Sequence, residues 1–226
     1  KIKMKTTIKT ALCTVAALTA LTFAASAASI KGAYLEVATS AVGVELSGSH
    51  TGTGLKTIGA AGKTAVTTSY GLGWMSSRDR KMGLDFGYMW TPGEAKLSGT
   101  SDDTASDVSM LIGDLTEYYI APMLNISNNA SLFLKFGRNS SDVKVTGDVT
   151  KITSMDGDTV SAGTVMSWDS NLYIRTEAGM TSYDKLTLKG LSTADANGHC
   201  AGVCSTETIE ATPDVHFGRI AIGYKF

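Results

Sequence analysis

Hydrophobic residues recur at every second position over long parts of this chain. Such a period places the apolar side chains on one face of a β-strand and the small or polar ones on the other. The first clear run is followed by a polar segment at 76–80 and then by a second run of the same parity. Two runs joined by a short turn predict a β-hairpin. The apolar members of this pair are Val66, Tyr70, Leu72, Trp74, Met82, Leu84, Phe86, Tyr88 and Trp90.

Eight strands account for the whole pattern. They are predicted at residues 30–46, 64–75, 82–97, 114–126, 130–145, 159–168, 172–186 and 208–226. The sixth is the faintest, because Val160, Val165, Met166 and Trp168 keep no single parity. An even number of strands allows an antiparallel barrel to close with both chain ends on one side. Ten strands are also compatible with the pattern.

Short turns alternate with long polar segments between these strands. The long segments are rich in Gly, Ser and Asp and are predicted as loops at residues 47–62, 98–113, 146–158 and 190–206. Barrels of the bacterial outer membrane have short periplasmic turns and long extracellular loops. The pattern therefore predicts an all-β fold, a single antiparallel up-and-down transmembrane β-barrel. A soluble β-sandwich or lipocalin-type barrel alternates in the same way and is the competing interpretation.

The face opposite the hydrophobic one favours the membrane barrel. It combines small residues with a nearly balanced set of charges, which could neutralise one another inside a narrow lumen. Charges buried in this way must form pairs, because an isolated buried ion costs several kcal/mol or more. The predicted lumen network consists of Glu36, Asp85, Glu117, Lys135, Arg175, Glu177 and Arg219.

Aromatic residues on the hydrophobic face also favour a membrane. They lie near the predicted strand ends, where amphipathic rings prefer the headgroup region. We interpret Tyr70, Trp74, Tyr88, Trp90, Tyr118 and Tyr224 as the girdles of the barrel.

The N-terminal segment has the features of a signal peptide. Four lysines within residues 1–9 precede an apolar stretch at 10–24, and the small residues at 25–27 form an Ala-x-Ala motif. We expect cleavage between Ala27 and Ala28, which leaves residues 28–226 as one domain. Loss of this segment changes the formal net charge from −1 to −5, because it holds four lysines and no acid. A membrane anchor is the alternative, but the apolar stretch is shorter than the roughly 20 residues that a spanning helix needs.

The last nine residues, Gly218 to Phe226, resemble the C-terminal assembly signal of Gram-negative outer-membrane proteins. That signal has a terminal aromatic residue preceded by apolar residues at alternating positions, which here are Ile220, Ile222, Tyr224 and Phe226. The resemblance implies recognition by the barrel-assembly machinery. An unpaired strand edge could add to the sheet of such a machine by β-augmentation.

The segment at residues 172–180, with Tyr183, Asp184 and Lys185 after it, resembles the penultimate strand of opacity-type, OmpA-like small porin-family barrels. The sequence motifs resemble this group only in the last two strands, whereas the order of strands, short turns and long loops is similar over residues 28–226. Members of this group are mostly eight-stranded surface proteins with diverse roles. The resemblance implies an outer-membrane location and contact with outer-membrane lipid. No basic stripe of the kind that binds nucleic acid is present.

Specific chemistry is sparse in this sequence. Cys200 and Cys204 lie in the last long polar segment, and in an oxidising compartment this spacing predicts a disulfide; a metal site with His199 is the weaker alternative. The three histidines are His50, His199 and His216, and none is followed by a serine or carboxylate on the same strand face. We therefore predict no catalytic residue, no metal and no cofactor.

Three functional hypotheses follow. The first is a structural, surface-exposed barrel whose extracellular loops mediate interaction or adhesion with a partner that the sequence does not identify. The second is a small porin, which requires that glycines on the inner face leave the lumen unfilled. The third is a barrel enzyme that acts on outer-membrane lipid. The glycines in question are Gly71, Gly73, Gly83, Gly87, Gly179 and Gly223.

Overall fold

The computed structural model describes residues 31–51, 56–77, 81–98, 109–147, 149–168, 171–191, 204–205 and 207–226. These residues form ten antiparallel strands. The strands are β1 (Gly32–Thr51), β2 (Lys56–Ser77), β3 (Met82–Thr91), β4 (Ala95–Ser98), β5 (Ser109–Asn125), β6 (Ala130–Thr146), β7 (Ser154–Ser167), β8 (Leu172–Tyr183), β9 (Leu186–Lys189) and β10 (Thr208–Lys225). The predicted signal peptide and its cleavage site at Ala27 and Ala28 lie outside the described residues.

The sheet closes on itself. Neighbouring strands pair in the order β1, β2, β3, β5, β6, β7, β8 and β10, and β1 pairs with β10 from Tyr34 opposite Lys225 to Thr51 opposite Thr208. β3 and β4 both pair with β5, and β8 and β9 both pair with β10, so each of these pairs is one barrel strand with an interruption. In the described part of the chain this gives a closed eight-stranded barrel, as predicted. Above Tyr70, residues 56–69 of β2 pair with β1 but have no partner strand among the described residues on their other side.

Two local features interrupt the regular walls. Pro92 and Gly93 separate β3 from β4; Pro lacks a backbone N–H for the ladder, and Gly93 has a φ of 124°. Opposite this break, β5 has a bulge between Ile112 and Leu115. The bulge reverses the side-chain parity, so that Ile112 and Leu115 both face inward.

The strands are longer than predicted at the outer end. Residues 47–51 and 56–62 were assigned to a loop, but they belong to the ladder between β1 and β2, and β7 begins at Ser154 rather than at residue 159. These predictions were wrong because polar side chains occur on paired strands outside the membrane as well as in loops. Above a membrane the outer face of a strand contacts water, so polar residues there are compatible with continued pairing.

The sixth barrel strand, β7, is regular despite its faint pattern. Val160 faces outward and is 47% exposed, whereas Met155 and Val165 face inward and are buried. Apolar residues of this strand therefore face the membrane at some positions and the lumen at others. For that reason they do not alternate regularly along the sequence.

Candidate functional site: the filled lumen and the outer wall

The outer wall carries a belt of exposed apolar side chains. Its members point away from the barrel from strands all around the wall, and most are between 40% and 60% exposed. A soluble protein of this size rarely exposes such a continuous apolar surface. The belt includes Leu35, Val37, Leu72, Leu84, Phe86, Ile120, Leu124, Leu132, Leu134, Phe136, Val160, Leu172, Ile220 and Ile222.

Aromatic pairs border this belt. Tyr70 lies beside Trp90 with ring centroids 6.0 Å apart, and Tyr88 lies beside Tyr118 at 5.0 Å, toward the end with the long connections. Trp74 with Phe86, and Tyr224 with Phe226, lie toward the end with the short turns. Rings at both borders are the arrangement found at the two interfaces of a membrane.

The seven charged residues that we predicted for the lumen are all inside the barrel and at most 7% exposed. They form two layers. The inner charge layer consists of Glu36, Asp85 and Arg175, and the outer charge layer of Glu117, Lys135, Glu177 and Arg219.

Arg175 is the centre of the inner charge layer. Its Nη2 lies 2.7 Å from Asp85 Oδ2, and its Nε lies 3.3 Å from Glu36 Oε2. Three tyrosines complete the layer: Tyr34 donates to Asp85 at 2.9 Å, Tyr173 donates to Glu36 at 2.7 Å, and Tyr119 accepts from Arg175 at 2.9 Å. Tyr34 and Tyr119 also share a short hydrogen bond.

Lys135 is the centre of the outer charge layer. Its Nζ lies 2.8 Å from Glu117 and 2.6 Å from Glu177, and Arg219 lies within 3.5 Å of the same two carboxylates. Ser161 donates to Glu177 at 2.7 Å, and Arg219 Nε donates to Ser40 at 3.0 Å. Each buried charge in this layer therefore has an opposite charge beside it.

Sequence reasoning missed the tyrosines of the inner charge layer. Tyr34 shares the strand parity of Glu36, Tyr119 shares that of Glu117, and Tyr173 shares that of Arg175, so the alternation was sufficient to place them inward. The predicted network contains charged residues only, and a tyrosine is neutral, so the argument from charge balance does not include it.

The space next to the inner-face glycines is filled by these large side chains. A Cβ added at Gly71 would lie 2.7 Å from Glu36, and one at Gly87 would lie 2.7 Å from the Tyr119 hydroxyl. The same relationship holds for Gly73 with Tyr34 and for Gly223 with Tyr173. The glycines make room for neighbouring side chains and do not leave an open lumen. The expectation that they could keep a pore open is wrong for these positions.

The lumen becomes apolar toward the outer end. Above the charge layers, Asn139, Thr159 and Thr181 form hydrogen bonds of 2.6 to 3.1 Å. Beyond them lies a hydrophobic cluster, which we call the apolar cap. It contains Val143, Val149, Met155, Tyr183, Leu186 and Leu188.

The outer wall at the level of the apolar cap is polar. Arg138, directly above Phe136 on β6, forms ion pairs with Asp158 at 2.9 Å and Asp184 at 3.4 Å. Lys144 binds Glu94 at 3.1 Å. Strand β6 continues beyond the belt from Arg138 to Thr146, with polar side chains outside and apolar side chains inside. At the usual rise per residue and strand tilt, this part of the wall extends about 20 Å beyond the belt.

The remaining predicted residues are placed as follows. Ile220, Ile222, Tyr224 and Phe226 all face outward, and Phe226 is 71% exposed. Cys204 is disulfide-bonded, whereas Cys200 lies outside the described residues. His199 also lies outside them. His216 is exposed on the outer wall, on the same face as Asp214, which precedes it by two positions.

Within the described residues, no group of three or more His, Cys, Asp or Glu side chains could hold a metal ion. No helix in the described part of the chain is long and apolar enough to cross a membrane.

The closed sheet, the exposed apolar belt with aromatic borders and the paired interior define an integral β-barrel protein of the cell outer membrane. The short turns and both ends of the described chain lie at one end of the barrel, which is the periplasmic end in this class. The strand ends that border the other four connections lie at the extracellular end. Three of these connections are longer than the turns, whereas the first, residues 52–55, is as short as they are.

Comparisons with solved structures return outer-membrane proteins. Ail, the attachment invasion locus protein of Yersinia pestis, is 10% identical, with 84% of this chain and 99% of that chain covered and a TM-score of 0.40. Neisserial surface protein A is 10% identical over 86% and 97% of the two chains, with a TM-score of 0.42. The outer membrane protease OmpT of Escherichia coli is 9% identical over 91% and 99%, with a TM-score of 0.38. The sequence matches no protein-family model and no curated protein.

Proposed function

We propose that this protein is a structural, surface-exposed barrel that holds its extracellular connections away from the membrane, where they mediate interaction or adhesion. The observation that carries the proposal is the filling of the lumen by paired charges, tyrosines and the apolar cap. A barrel filled in this way supplies rigidity. Function then resides in the connections that the rigid walls present.

The projecting part of the wall supports this proposal. An apolar interior with a polar exterior is the arrangement of a soluble barrel, stable in water without lipid. Strands that continue in this form beyond the belt place the ends of the connections about 20 Å above it. A channel alone would have no need for such an extension.

A small porin is the second candidate, and the filled lumen argues against it. Arg175 and Lys135 are at most 1% exposed and are each bound by two carboxylates. Passage of a solute would require these pairs to separate, and breaking a buried pair costs about 3–5 kcal/mol. We therefore expect the purified protein to be silent in planar bilayers.

An enzymatic role is the third candidate, and we propose that the protein is not an enzyme. The buried carboxylates of the two charge layers bind cations and tyrosines and do not orient a histidine. An enzyme that acts on lipid would change the lipid composition of cells that express it, and this change would disappear in a His216→Ala variant.

The proposal is tested with variants that alter only the extracellular connections. Residues 52–55, 99–108 or 192–203 are replaced one segment at a time by Gly-Ser sequences of equal length, and each variant is checked for a heat-dependent gel shift. Whole cells are then compared for binding to immobilised extracellular matrix and to cultured cells. We expect at least one replacement to abolish binding while the barrel still assembles. A fourth variant, Asp148→Ser with Lys151→Ser, alters the connection between β6 and β7. Steady single-channel currents from the unaltered protein, or full binding by all four variants, would contradict the proposal.

A further inference from the structure

Beyond the apolar belt, strand β2 has a backbone edge that no strand of the described chain covers. Residues 56–69 pair with β1 on one side, and this register is unbroken up to Thr51 opposite Lys56. On the other side β3 pairs with β2 only as far as Tyr70, and β4 lies alongside β5 and not alongside β2. We call the backbone of residues 56–69 the β2 edge.

The hydrogen-bond pattern of the barrel shows which groups of the β2 edge point away from β1. The Phe226 N–H donates to the Ala33 C=O at 2.9 Å, and successive residues of an antiparallel strand bond alternately to the neighbours on either side. In β1 the odd-numbered residues therefore bond to β10 and the even-numbered residues to β2. The register of β1 with β2 then directs the N–H and C=O groups of the even-numbered residues of β2 away from β1. These residues are Lys56, Ile58, Ala60, Gly62, Thr64, Val66 and Thr68.

The inner face of the wall beside the β2 edge is apolar and only half covered. Val42, Val44 and Leu46 of β1 and Ala65 of β2 point into the lumen near the apolar cap and are half-buried. In the apolar cap, by contrast, Val143 is 2% exposed. The outer face of the same stretch lies beyond the belt, in water. A strand added to the β2 edge would therefore place one row of side chains over the apolar inner face and the other row in water.

The segment at residues 99–108 is too short to cover the β2 edge. It connects Ser98 with Ser109, which lie opposite each other in the ladder between β4 and β5. A segment of this length that returns to its starting point reaches at most about 17 Å, because an extended residue spans at most about 3.3–3.6 Å. The β2 edge is about 44 Å long at the usual rise per residue. Most of it is therefore available to another molecule.

The β2 edge has few of the features that normally prevent a strand from pairing with other proteins. Those features are prolines, bulges and charged side chains. Residues 56–69 contain no proline, their register with β1 has no bulge, and their only charged residues are Lys56 and Lys63. Because both are basic, an acidic or neutral strand pairs more favourably with this edge than a basic one.

We propose that the β2 edge binds an extended segment of another extracellular protein by β-augmentation. The bound strand forms main-chain hydrogen bonds with the even-numbered residues of β2. Its apolar residues, at every second position, cover the half-buried inner face, and acidic or neutral residues between them face water. The binding site is the wall itself and not the extracellular connections of the proposed function, so the two proposals can fail separately.

Amide hydrogen exchange in the full protein, measured by NMR in detergent micelles, tests the edge directly. The probe is a ten-residue peptide in which valine alternates with threonine and glutamate, and its control has the same composition with the valines consecutive. We expect the even-numbered amides of residues 58–68 to exchange rapidly in the protein alone, and the alternating peptide to slow them at least tenfold. No protection by the alternating peptide, or equal protection by both peptides, would overturn the proposal.

Other occupants of the β2 edge give different exchange patterns. Slow exchange of the even-numbered amides in the protein alone, at every concentration, would show that the chain itself covers the edge. Slow exchange that develops only as the protein concentration rises would show that a second copy covers it. Either pattern would contradict the assignment to another protein.

A matched pair of variants at Thr64 tests the hydrogen bonding. Thr64→Pro removes an N–H that points to the β2 edge and leaves the bonds to β1 in place, whereas Thr64→Ala removes the same hydroxyl and retains the N–H. We expect the alternating peptide to bind the proline variant about tenfold more weakly than the alanine variant, which is about 1.4 kcal/mol and typical of one hydrogen bond.

A heat-dependent gel shift verifies that both variants assemble. Equal affinity of the two variants for the peptide would refute the proposal. Assembly of the alanine variant without assembly of the proline variant would also refute it, because the Thr64 N–H would then already have a partner in the protein.

Discussion

Arg175 and Asp85 lie on opposite parts of the barrel wall, 90 residues apart in the chain, and their Nη2 and Oδ2 atoms are 2.7 Å apart in the centre of the lumen. Both side chains are 1% exposed. This pair and the Glu36 carboxylate connect β8 with β3 and β1, so the inner charge layer joins strands that are not neighbours in the sheet.

Removal of Arg175 should destabilise the barrel strongly. Arg175→Met leaves Asp85 and Glu36 buried without a cation, and the expected loss is about 3–5 kcal/mol in the free energy of unfolding. The measurement is urea unfolding of the protein in lipid vesicles. Arg138→Met is the control, because Arg138 is 52% exposed and its ion pairs should contribute less than about 1 kcal/mol. Similar losses in the two variants would show that the lumen pairs do not hold the barrel together.

The inward glycines should not tolerate a methyl group. Gly87→Ala places a Cβ 2.7 Å from the Tyr119 hydroxyl and 2.8 Å from that of Tyr34, and we expect a loss of about 1–3 kcal/mol from overpacking. Gly218→Ala, on the outer wall with no atom within 4 Å of the new Cβ, should change stability by less than about 0.5 kcal/mol. The same unfolding assay compares them. A neutral Gly87→Ala would mean that the lumen is looser than the tyrosines indicate.

The apolar belt predicts that the free-energy cost of a charged substitution depends on its position along the barrel axis. Leu134→Lys places a charge in the middle of the belt on β6 and should cost about 2–4 kcal/mol, whereas Ser140→Lys, on the same face of the same strand but above the belt, should cost less than about 1 kcal/mol. The comparison is made in vesicles by unfolding and refolding. Equal costs at the two positions would place the membrane elsewhere on the wall.

The C-terminal residue should matter for assembly more than for stability. Phe226 is 71% exposed, and its ring centroid lies 5.3 Å from that of Tyr224 on the outer wall. Its removal should therefore leave the barrel interior intact. We expect deletion of Phe226 to prevent insertion in cells while refolding into detergent remains efficient; the heat-dependent gel shift measures both. Val37→Ser, at an exposed position within the belt (51%), is the control and should assemble in cells. Failure of both the cellular and the detergent experiment for the deletion would indicate a structural role instead.

The sequence by itself determined the fold class, the eight-stranded layout, the direction of the belt and the seven charges that face the lumen. It could do so because alternation is a local property: a residue's neighbours at two positions on either side decide which face it occupies. Phe136 and Lys135 could be assigned to opposite faces without any knowledge of the other strands.

Only the tertiary structure decided which lumen residues meet and how full the lumen is. Tyr34, Tyr119 and Arg175 come from three strands, and their meeting depends on the shear and diameter of the closed barrel, which no single strand encodes. The same holds for the inward glycines, because the sequence does not show whether the side chain packed against a glycine is small or is a tyrosine. The extension of the strands beyond the membrane was also not predictable from the sequence. Polar residues occur both on paired strands and in loops, and only the backbone hydrogen bonds distinguish the two.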